Sequence, residues 1–109
     1  MSIEVTVRHM DKKGNLQEYA RRKAEMLIEE FPKVEYVHIT LDVEKHRNIA
    51  EVFAQSKKHV RVEAKEVADD MIASIDVAVN KLEKQLRKLS DRSHDHKTVM
   101  KKAAKKRVS

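Results

Sequence analysis

The segment NKLEKQLRKL, residues 80–89, carries cations whose type and spacing favour contact with a polyanion. Its leucines recur at the three- and four-residue spacing of a packed helix face. At about 100° per residue, the cations lie on the other side of that helix: Lys81, Lys84 and Lys88, with Arg87 beside them. Glu83 is the only acid between Lys81 and Lys88, so the repulsion among these lysines is mostly unrelieved. A phosphate-rich ligand would relieve this repulsion and release counterions, whereas a plainly solvated face is the alternative interpretation.

Other residue types with chemical potential are scattered along the chain. His94 and His96 flank Asp95 and would ligate a metal ion only in an extended segment, since the two rings diverge on a helix. His9 and Asp11 resemble an acid–base pair, but no nucleophile and no glycine-rich anion loop accompany them. The sequence also contains no cysteine, which excludes thiolate metal sites. It therefore predicts no enzyme, no metal or other cofactor, and no small-molecule substrate.

The positive charge is concentrated at the C-terminal end of the chain. The 109 residues include 24 Lys/Arg and 18 Asp/Glu, a net charge of +6. Residues 81–109 hold 11 Lys/Arg and 3 Asp/Glu, a net of +8, whereas residues 1–80 hold 13 and 15, a net of −2. Such asymmetry favours a directional surface for a partner with phosphates, with a solvated basic tail as the alternative.

Hydropathy along the chain argues against a leader or a membrane span. The N-terminal segment MSIEVTVRHM alternates apolar residues with charges and lacks the apolar run of a signal peptide. No segment approaches the roughly 20 apolar residues that cross a bilayer. A cytoplasmic protein without a membrane partner is expected.

Periodicity predicts an α+β fold of order βαβββα. Alternating apolar residues indicate four strands, around residues 3–7, 37–43, 49–54 and 60–64. Apolar residues at helical spacing indicate one helix from about Asn15 to Phe31, ended by Pro32, and a longer second helix near the C-terminus. Short linkers favour antiparallel pairing among the last three strands. The two helices are expected to pack on one face of a four-stranded sheet.

Several details of these elements depend on single residues. Asn15 with Glu18 is a candidate capping pair for the first helix, and Asp69 or Asp70 is the candidate cap of the second. In the strand 49–54 the inward residues are either Ala50 with Val52, or Phe53. The second helix has one apolar stripe: Ile72, Ile75, Val79, Leu82, Leu86 and Leu89.

The domain organisation follows from where this stripe ends. Beyond Ser90 the apolar periodicity is lost and the sequence becomes basic. We therefore expect one domain over residues 1–90 and a basic, flexible tail over residues 91–109.

The first helix carries a second basic cluster: Arg21, Arg22 and Lys23. If both helices lie on the same face of the sheet, this cluster and the lysines of the second helix form one surface.

The aromatic residues are too few to indicate base recognition. Tyr19 and Phe31 are expected to pack, which leaves Tyr36 and Phe53, and no pair of sheet aromatics for stacking splayed bases is evident. Neither helix-turn-helix nor zinc-finger spacing is present. Folded RNA, read through its phosphates and shape, fits this composition best.

Three segments carry a resemblance to a known family: VRHMD (7–11), VHITLDVEKHRNIAEV (37–52) and DDMIASIDVAVNKLEKQLRKL (69–89). Over about residues 1–90 the chain resembles the ribosome hibernation-promoting factors, also called ribosome-associated inhibitor or ribosomal subunit interface proteins. The resemblance implies a non-enzymatic βαβββα protein that binds the rRNA of the small ribosomal subunit, alone or in the intact ribosome. Such a protein occupies the channel of messenger and transfer RNA during stress or slow growth, inhibits translation and preserves inactive ribosomes.

The resemblance also assigns rRNA-binding residues. The family's basic positions on the last helix match Lys81, Lys84 and Lys88, with Arg87 beside them, and on the first helix they match Lys23, with Arg22 as a further candidate. The chain resembles the short form, without the second dimerisation domain, so a monomer is expected when the protein is free. A standalone RNA chaperone or double-stranded RNA-binding protein is the alternative function.

Overall fold

The computed structural model describes residues 2–9, 14–57 and 60–98. The elements follow the predicted order βαβββα: β1 (Ser2–Arg8), α1 (Gly14–Glu30), β2 (Val34–Glu44), β3 (Arg47–Ser56), β4 (Arg61–Ala68) and α2 (Met71–Thr98). The predicted α+β class is confirmed. Each strand is longer at one or both ends than its alternating apolar core, because strand pairing continues into the polar flanks.

The four strands form one mixed sheet in the order β1-β2-β3-β4. β1 pairs parallel with β2, and the chain between them is taken up by α1. The short turns after β2 and β3 give antiparallel pairs, as predicted. In the central row of this register Val5 lies beside Ile39, Ile39 beside Val52, and Val52 beside Ala64. Apolar positions of all four strands therefore share one face.

Both helices cover that apolar face. α1 packs on β1 and β2, and α2 packs on β3 and β4. The core joins residues of both layers, and the most completely buried of its large side chains are Leu27, Val37, Ile39, Leu41, Val52, Ile75 and Leu82. The predicted packing of two helices on one face of a four-stranded sheet is confirmed, and it leaves the other face of the sheet open in the described part of the chain.

The start of α2 is fixed by polar contacts. The backbone N–H of Ala73 donates to Asp70 Oδ2 at 3.0 Å, so Asp70 is the cap. The buried hydroxyl of Ser74 donates to the Asn48 carbonyl at 2.6 Å, and Asn48 Nδ2 donates to the Asp69 carbonyl at 2.9 Å. These bonds tie the first turn of α2 to β3.

Two residue assignments from the sequence are wrong. The apolar spacing predicts Ile72 in the buried stripe of α2, but Ile72 is 40% exposed. Met71, 5% exposed, packs in its place, because the buried Ser74 rotates the first turn of the helix. Asn15 was a candidate cap, but α1 already begins at Gly14, so Asn15 lies inside the helix.

The structure shows which face of β3 is buried, and it shows that α2 is longer than predicted. Ala50 and Val52 point into the core, and Phe53 lies on the opposite, open face. α2 continues to Thr98, past Ser90, where the loss of the apolar stripe predicted the start of the tail. Residues 99–109 of that predicted tail lie outside the described residues. Among the described residues, neither α1 nor α2 contains an apolar stretch of the length that a bilayer crossing requires.

Candidate nucleic-acid interface

The seam between α1 and α2 brings cations of both helices together. Lys23 Nζ lies 3.3 Å from Asp76 Oδ1 and 5.6 Å from the ring centroid of Tyr19, whose hydroxyl donates to the same carboxylate oxygen. Further along the seam, Arg87 Nη2 donates to Glu30 Oε2 at 2.7 Å. Lys23 and Arg87 thus both lie at this seam, and each pairs with a carboxylate of the opposite helix.

The pKa values in the seam reflect this mixture of charges. Burial raises the pKa of Glu83, and the nearby carboxyl group of Glu30 raises it further, while Arg87 and Lys23 act in the opposite direction. The pKa of Tyr19 is raised because its hydroxyl donates to Asp76, a bond that exists only while the phenol is protonated. Lys23 of α1 and Arg87 of α2 therefore act on the same carboxyl group, that of Glu83.

The three lysines predicted on the outer side of α2 differ in their surroundings. Lys81 Nζ donates to Glu66 Oε1 of β4 at 2.6 Å, so a carboxylate from the sheet neutralises it. Lys84 and Lys88 are exposed, and no carboxylate lies within 4.0 Å of either ammonium group among the side chains that the structure describes, which end at Leu89. Among the described side chains, Lys84 and Lys88 are therefore the lysines of the predicted row that have no carboxylate partner.

Of the α1 candidates, Lys23 is held in the seam and Arg22 lies at the surface. Arg22 Nη2 is 4.0 Å from Glu18 Oε2 one turn earlier, and both side chains are mostly exposed. Exposed pairs of this kind contribute about 0–1 kcal/mol because water screens them. The carboxylates therefore weaken the positive field of the surface, but a phosphate can displace any one of them at small cost.

The open face of the sheet holds an aromatic cluster that sequence reasoning missed. Tyr36 and Phe53 lie edge to face with centroids 6.0 Å apart, and Tyr36 and His38 are 6.2 Å apart. No pair of sheet aromatics is evident from the sequence, whereas the structure brings Tyr36 and Phe53 together on this face. Alternation was the available signal, since Tyr36 and His38 flank the buried Val37, but only the register of β2 against β3 shows that Phe53 joins them.

His9 and His38 form hydrogen bonds with side chains of the sheet. His9, at φ 54°, donates from Nδ1 to Asp42 Oδ1 at 2.8 Å, and this bond is the main reason that the pKa of Asp42 is lowered. His38 Nε2 and Thr6 Oγ1 form a hydrogen bond at 2.8 Å. No group of three metal-ligating side chains occurs among the residues searched. Asp11 and the side chains of His94 and His96 lie outside the described part of the chain.

Comparison with known proteins places the chain in a family. A sequence model described as sigma 54 modulation protein / S30EA ribosomal protein matches residues 3–94. The chain belongs to this family. The resemblance to the ribosome hibernation-promoting factors is thereby confirmed at the family level. No curated protein sequence matches the chain significantly.

Two solved structures share the fold of this S30EA-family chain. A ribosomal subunit interface protein from Coxiella burnetii superposes with a TM-score of 0.75 at 24% identity, covering 84% of this chain and 99% of that one. The Protein Y N-terminal domain of Thermus thermophilus gives a TM-score of 0.72 at 23% identity, covering 82% and 99%. At these identities the similarity establishes the shared βαβββα architecture.

Proposed function

We propose that this S30EA-family protein associates with the ribosome by binding the rRNA of the small subunit. In this proposal it acts as a monomer in the cytoplasm, alone on small subunits or on intact ribosomes. It occupies the channel of messenger and transfer RNA, inhibits translation during stress and keeps inactive ribosomes intact. The protein has no catalytic part in this role. Family membership supports the ribosomal partner, and the charge arrangement of α2 supports the contact with RNA.

The observation that carries the proposal is the opposed burial of neighbouring residues in α2. Leu82 is 0% and Leu86 7% exposed, while Lys84 and Lys88 lie exposed between and beyond them. The core therefore fixes the helix, and the two ammonium groups are held at the surface one turn apart. Phosphates that meet a preorganised pair of cations release counterions without ordering the protein first.

The cations that already pair with a carboxylate contact RNA by exchanging that carboxylate for a phosphate. Lys81, Arg87 and Lys23 each lie within 3.3 Å of a carboxylate, and an arriving phosphate can replace that carboxylate as their partner. The cost of each exchange is about 0–1 kcal/mol for such partly exposed pairs. Arg22, with its weak pair to Glu18, is an exposed cation of α1. We therefore propose Lys84 and Lys88 as the primary contacts, and Lys23, Lys81, Arg87 and Arg22 as contacts that form at close approach.

The test compares binding of the full chain to purified small subunits before and after removal of the primary contacts. Lys84→Ala with Lys88→Ala should weaken co-sedimentation at least tenfold, because two phosphate contacts are lost. The matched control, Lys45→Gly with Arg47→Ala, removes two positive charges from the β2–β3 turn, at the other end of α2. Equal weakening by both double variants would mean that net charge alone drives binding.

The same experiment separates the alternative function. A standalone RNA chaperone or double-stranded RNA-binding protein would bind generic duplex RNA as tightly as small subunits. The ribosomal proposal predicts a clear preference for the subunit, and inhibition of translation in a purified system without cleavage of RNA. Full translation with subunits saturated by the protein would exclude occupancy of the channel.

A further inference from the structure

The helix-free face of the sheet contains a groove that the RNA-binding proposal does not use. The groove has a volume of about 380 Å³ and is lined by side chains from β2, β3 and β4. Two cross-strand rows form it: His38, Phe53 and Glu63 in one row, and Thr40, Glu51 and Lys65 in the next. We infer that this groove binds an arginine side chain presented by a cationic segment of a partner protein.

The positions of one aromatic ring and two carboxylates carry the inference. Phe53 stands directly opposite Glu63, and Glu51 is two residues away on the same strand and the same face. Glu51 and Glu63 are diagonal neighbours across β3 and β4, with Cα atoms about 7–8 Å apart. Long side chains at that separation reach a single planar cation that rests on the ring between them. Guanidinium has the shape for this site, since it stacks on aromatic faces and donates to carboxylates from its edges.

The charge of the groove favours a cation over RNA. Lys65 Nζ lies 3.8 Å from Glu51 Oε2 and neutralises it in part. No cation lies within 4.0 Å of the Glu63 carboxylate among the described side chains. The neutral Gln85 side chain donates to the backbone carbonyl of Glu63 and not to its carboxylate. A nucleobase could also stack on Phe53, but its phosphates would then approach Glu51 and Glu63. The aromatic ring is therefore placed for a positively charged ligand.

The surrounding contacts hold the aromatic side of the groove in place. The Tyr36 hydroxyl donates to Glu4 Oε1 at 2.7 Å, and the Tyr36 ring packs edge to face against Phe53. A hydrogen bond to Thr6 holds the His38 ring. Since these contacts already fix the rings, a ligand need not order them, which reduces the entropic cost of binding. Arginine-rich segments are common in proteins that accompany nucleic acids. Such a segment could be bound on the sheet while the helices face RNA.

The test measures binding of a small peptide to the full chain by amide chemical shifts. The probe is an acetylated and amidated peptide of three Gly-Gly-Arg repeats. Addition of the peptide should change the amide chemical shifts of the protein most at Phe53, Glu63 and their neighbours. The same peptide with citrulline in place of arginine, which keeps the shape but loses the charge, should bind at least tenfold more weakly, and the lysine version about threefold more weakly.

Matched variants distinguish a specific site from general electrostatics. Glu63→Gln and Phe53→Leu should each weaken binding of the arginine peptide at least fivefold; leucine retains apolar volume, and glutamine retains the shape of the exposed glutamate. Glu44→Gln removes one negative charge from the same face outside the groove and should change the affinity less than twofold. Equal losses in Glu44→Gln and Glu63→Gln would overturn the inference.

The remaining outcomes separate this site from the proposed RNA surface. Lys84→Ala with Lys88→Ala should leave peptide binding unchanged, and Glu63→Gln should leave binding to small subunits unchanged. If hexauridylate changes the amide chemical shift of Phe53 and displaces the arginine peptide from the groove, the groove is a nucleobase site and the inference is wrong. Equal binding of the citrulline peptide would contradict it as well.

Discussion

Lys81 and Glu66 form the one ion pair between α2 and the sheet among the described residues, with Nζ and Oε1 2.6 Å apart. The pair links the predicted RNA-binding helix to β4, and the side chains are 51% and 27% exposed. It therefore removes one cation from a row of three until a phosphate displaces the carboxylate. The charge available to RNA depends on this acid as much as on the lysines.

Replacing Glu66 should strengthen RNA binding. In the wild type, a phosphate that takes over Lys81 leaves the Glu66 carboxylate to recruit a cation from solution, so this exchange releases no net counterion. Glu66→Gln removes that compensation. The affinity for small subunits should therefore rise severalfold at low salt, and the slope of log K against log salt should steepen by about 0.7–0.9, the value for one counterion released per phosphate contact. Binding measured over a series of salt concentrations checks both. Glu44→Gln, on the open face of the sheet, is the control for net charge. An unchanged slope with Glu66→Gln would show that Lys81 does not contact phosphate.

The fold was predictable because its determinants are local. Strict alternation in Ile3, Val5 and Val7 and helical spacing in Leu82 and Leu86 give element type and buried face without knowledge of any partner. The error at Ile72 has the same origin, since periodicity defines a stripe but not where the first turn of a helix meets the sheet. There the buried bond from Ser74 to β3 decides.

The site was predictable only in part, since its modifying contacts are distant in sequence. A helix pattern compares residues three or four apart, whereas Arg87 pairs with Glu30, 57 residues away, and Lys81 pairs with Glu66, 15 residues away. The cations were therefore found and their partners were not. The aromatic cluster of Tyr36 and Phe53 was missed for the same reason, because it depends on strand register.

Glu83 should make the stability depend on pH in the direction opposite to ordinary acidic residues. Its pKa in the folded protein is raised above the ordinary 4.5, so the folded state holds a proton there that the unfolded state has released. Its ionisation therefore destabilises the fold as pH rises through the folded pKa, and stability is regained as pH falls towards 4.5.

Glu83→Gln should accordingly raise the free energy of unfolding at pH 7 and flatten its pH dependence above about pH 4.5. The amide can still donate to Glu30, while the repulsion between two carboxylates is removed. Urea unfolding at several pH values checks this. The exposed Glu25 of α1 provides the control, Glu25→Gln, for which we expect no comparable change. A loss of stability in Glu83→Gln at pH 7 would contradict the assignment.

The backbone conformation at position 45 should suit glycine at least as well as lysine. It lies exposed in the turn between β2 and β3 at φ 58°, where a Cβ atom costs about 1 kcal/mol or more. Lys45→Gly should therefore leave stability unchanged or raise it by up to about 1 kcal/mol, since the greater freedom of glycine in the unfolded chain offsets part of the gain. Thermal unfolding measures this, with Lys33→Gly in the turn before β2 as the control that should not gain. A clear loss in Lys45→Gly would show that its side chain stabilises the turn.

The anchoring of α2 can be tested by removing its buried side chain next to the lysines. Leu82 is fully buried, so Leu82→Ala should lower the free energy of unfolding by about 2–5 kcal/mol, from lost burial and the cavity that remains. Lys84→Ala, two residues later and exposed, should change it by no more than about 0.5 kcal/mol. The affinity for small subunits, measured at a temperature where both variants are folded, should fall more in Lys84→Ala than in Leu82→Ala. The reason is that Leu82→Ala retains every cation, whereas Lys84→Ala loses a primary contact. If Lys84→Ala destabilised the fold as much as Leu82→Ala, the lysine would be part of the packing and could not be a preorganised contact for phosphate.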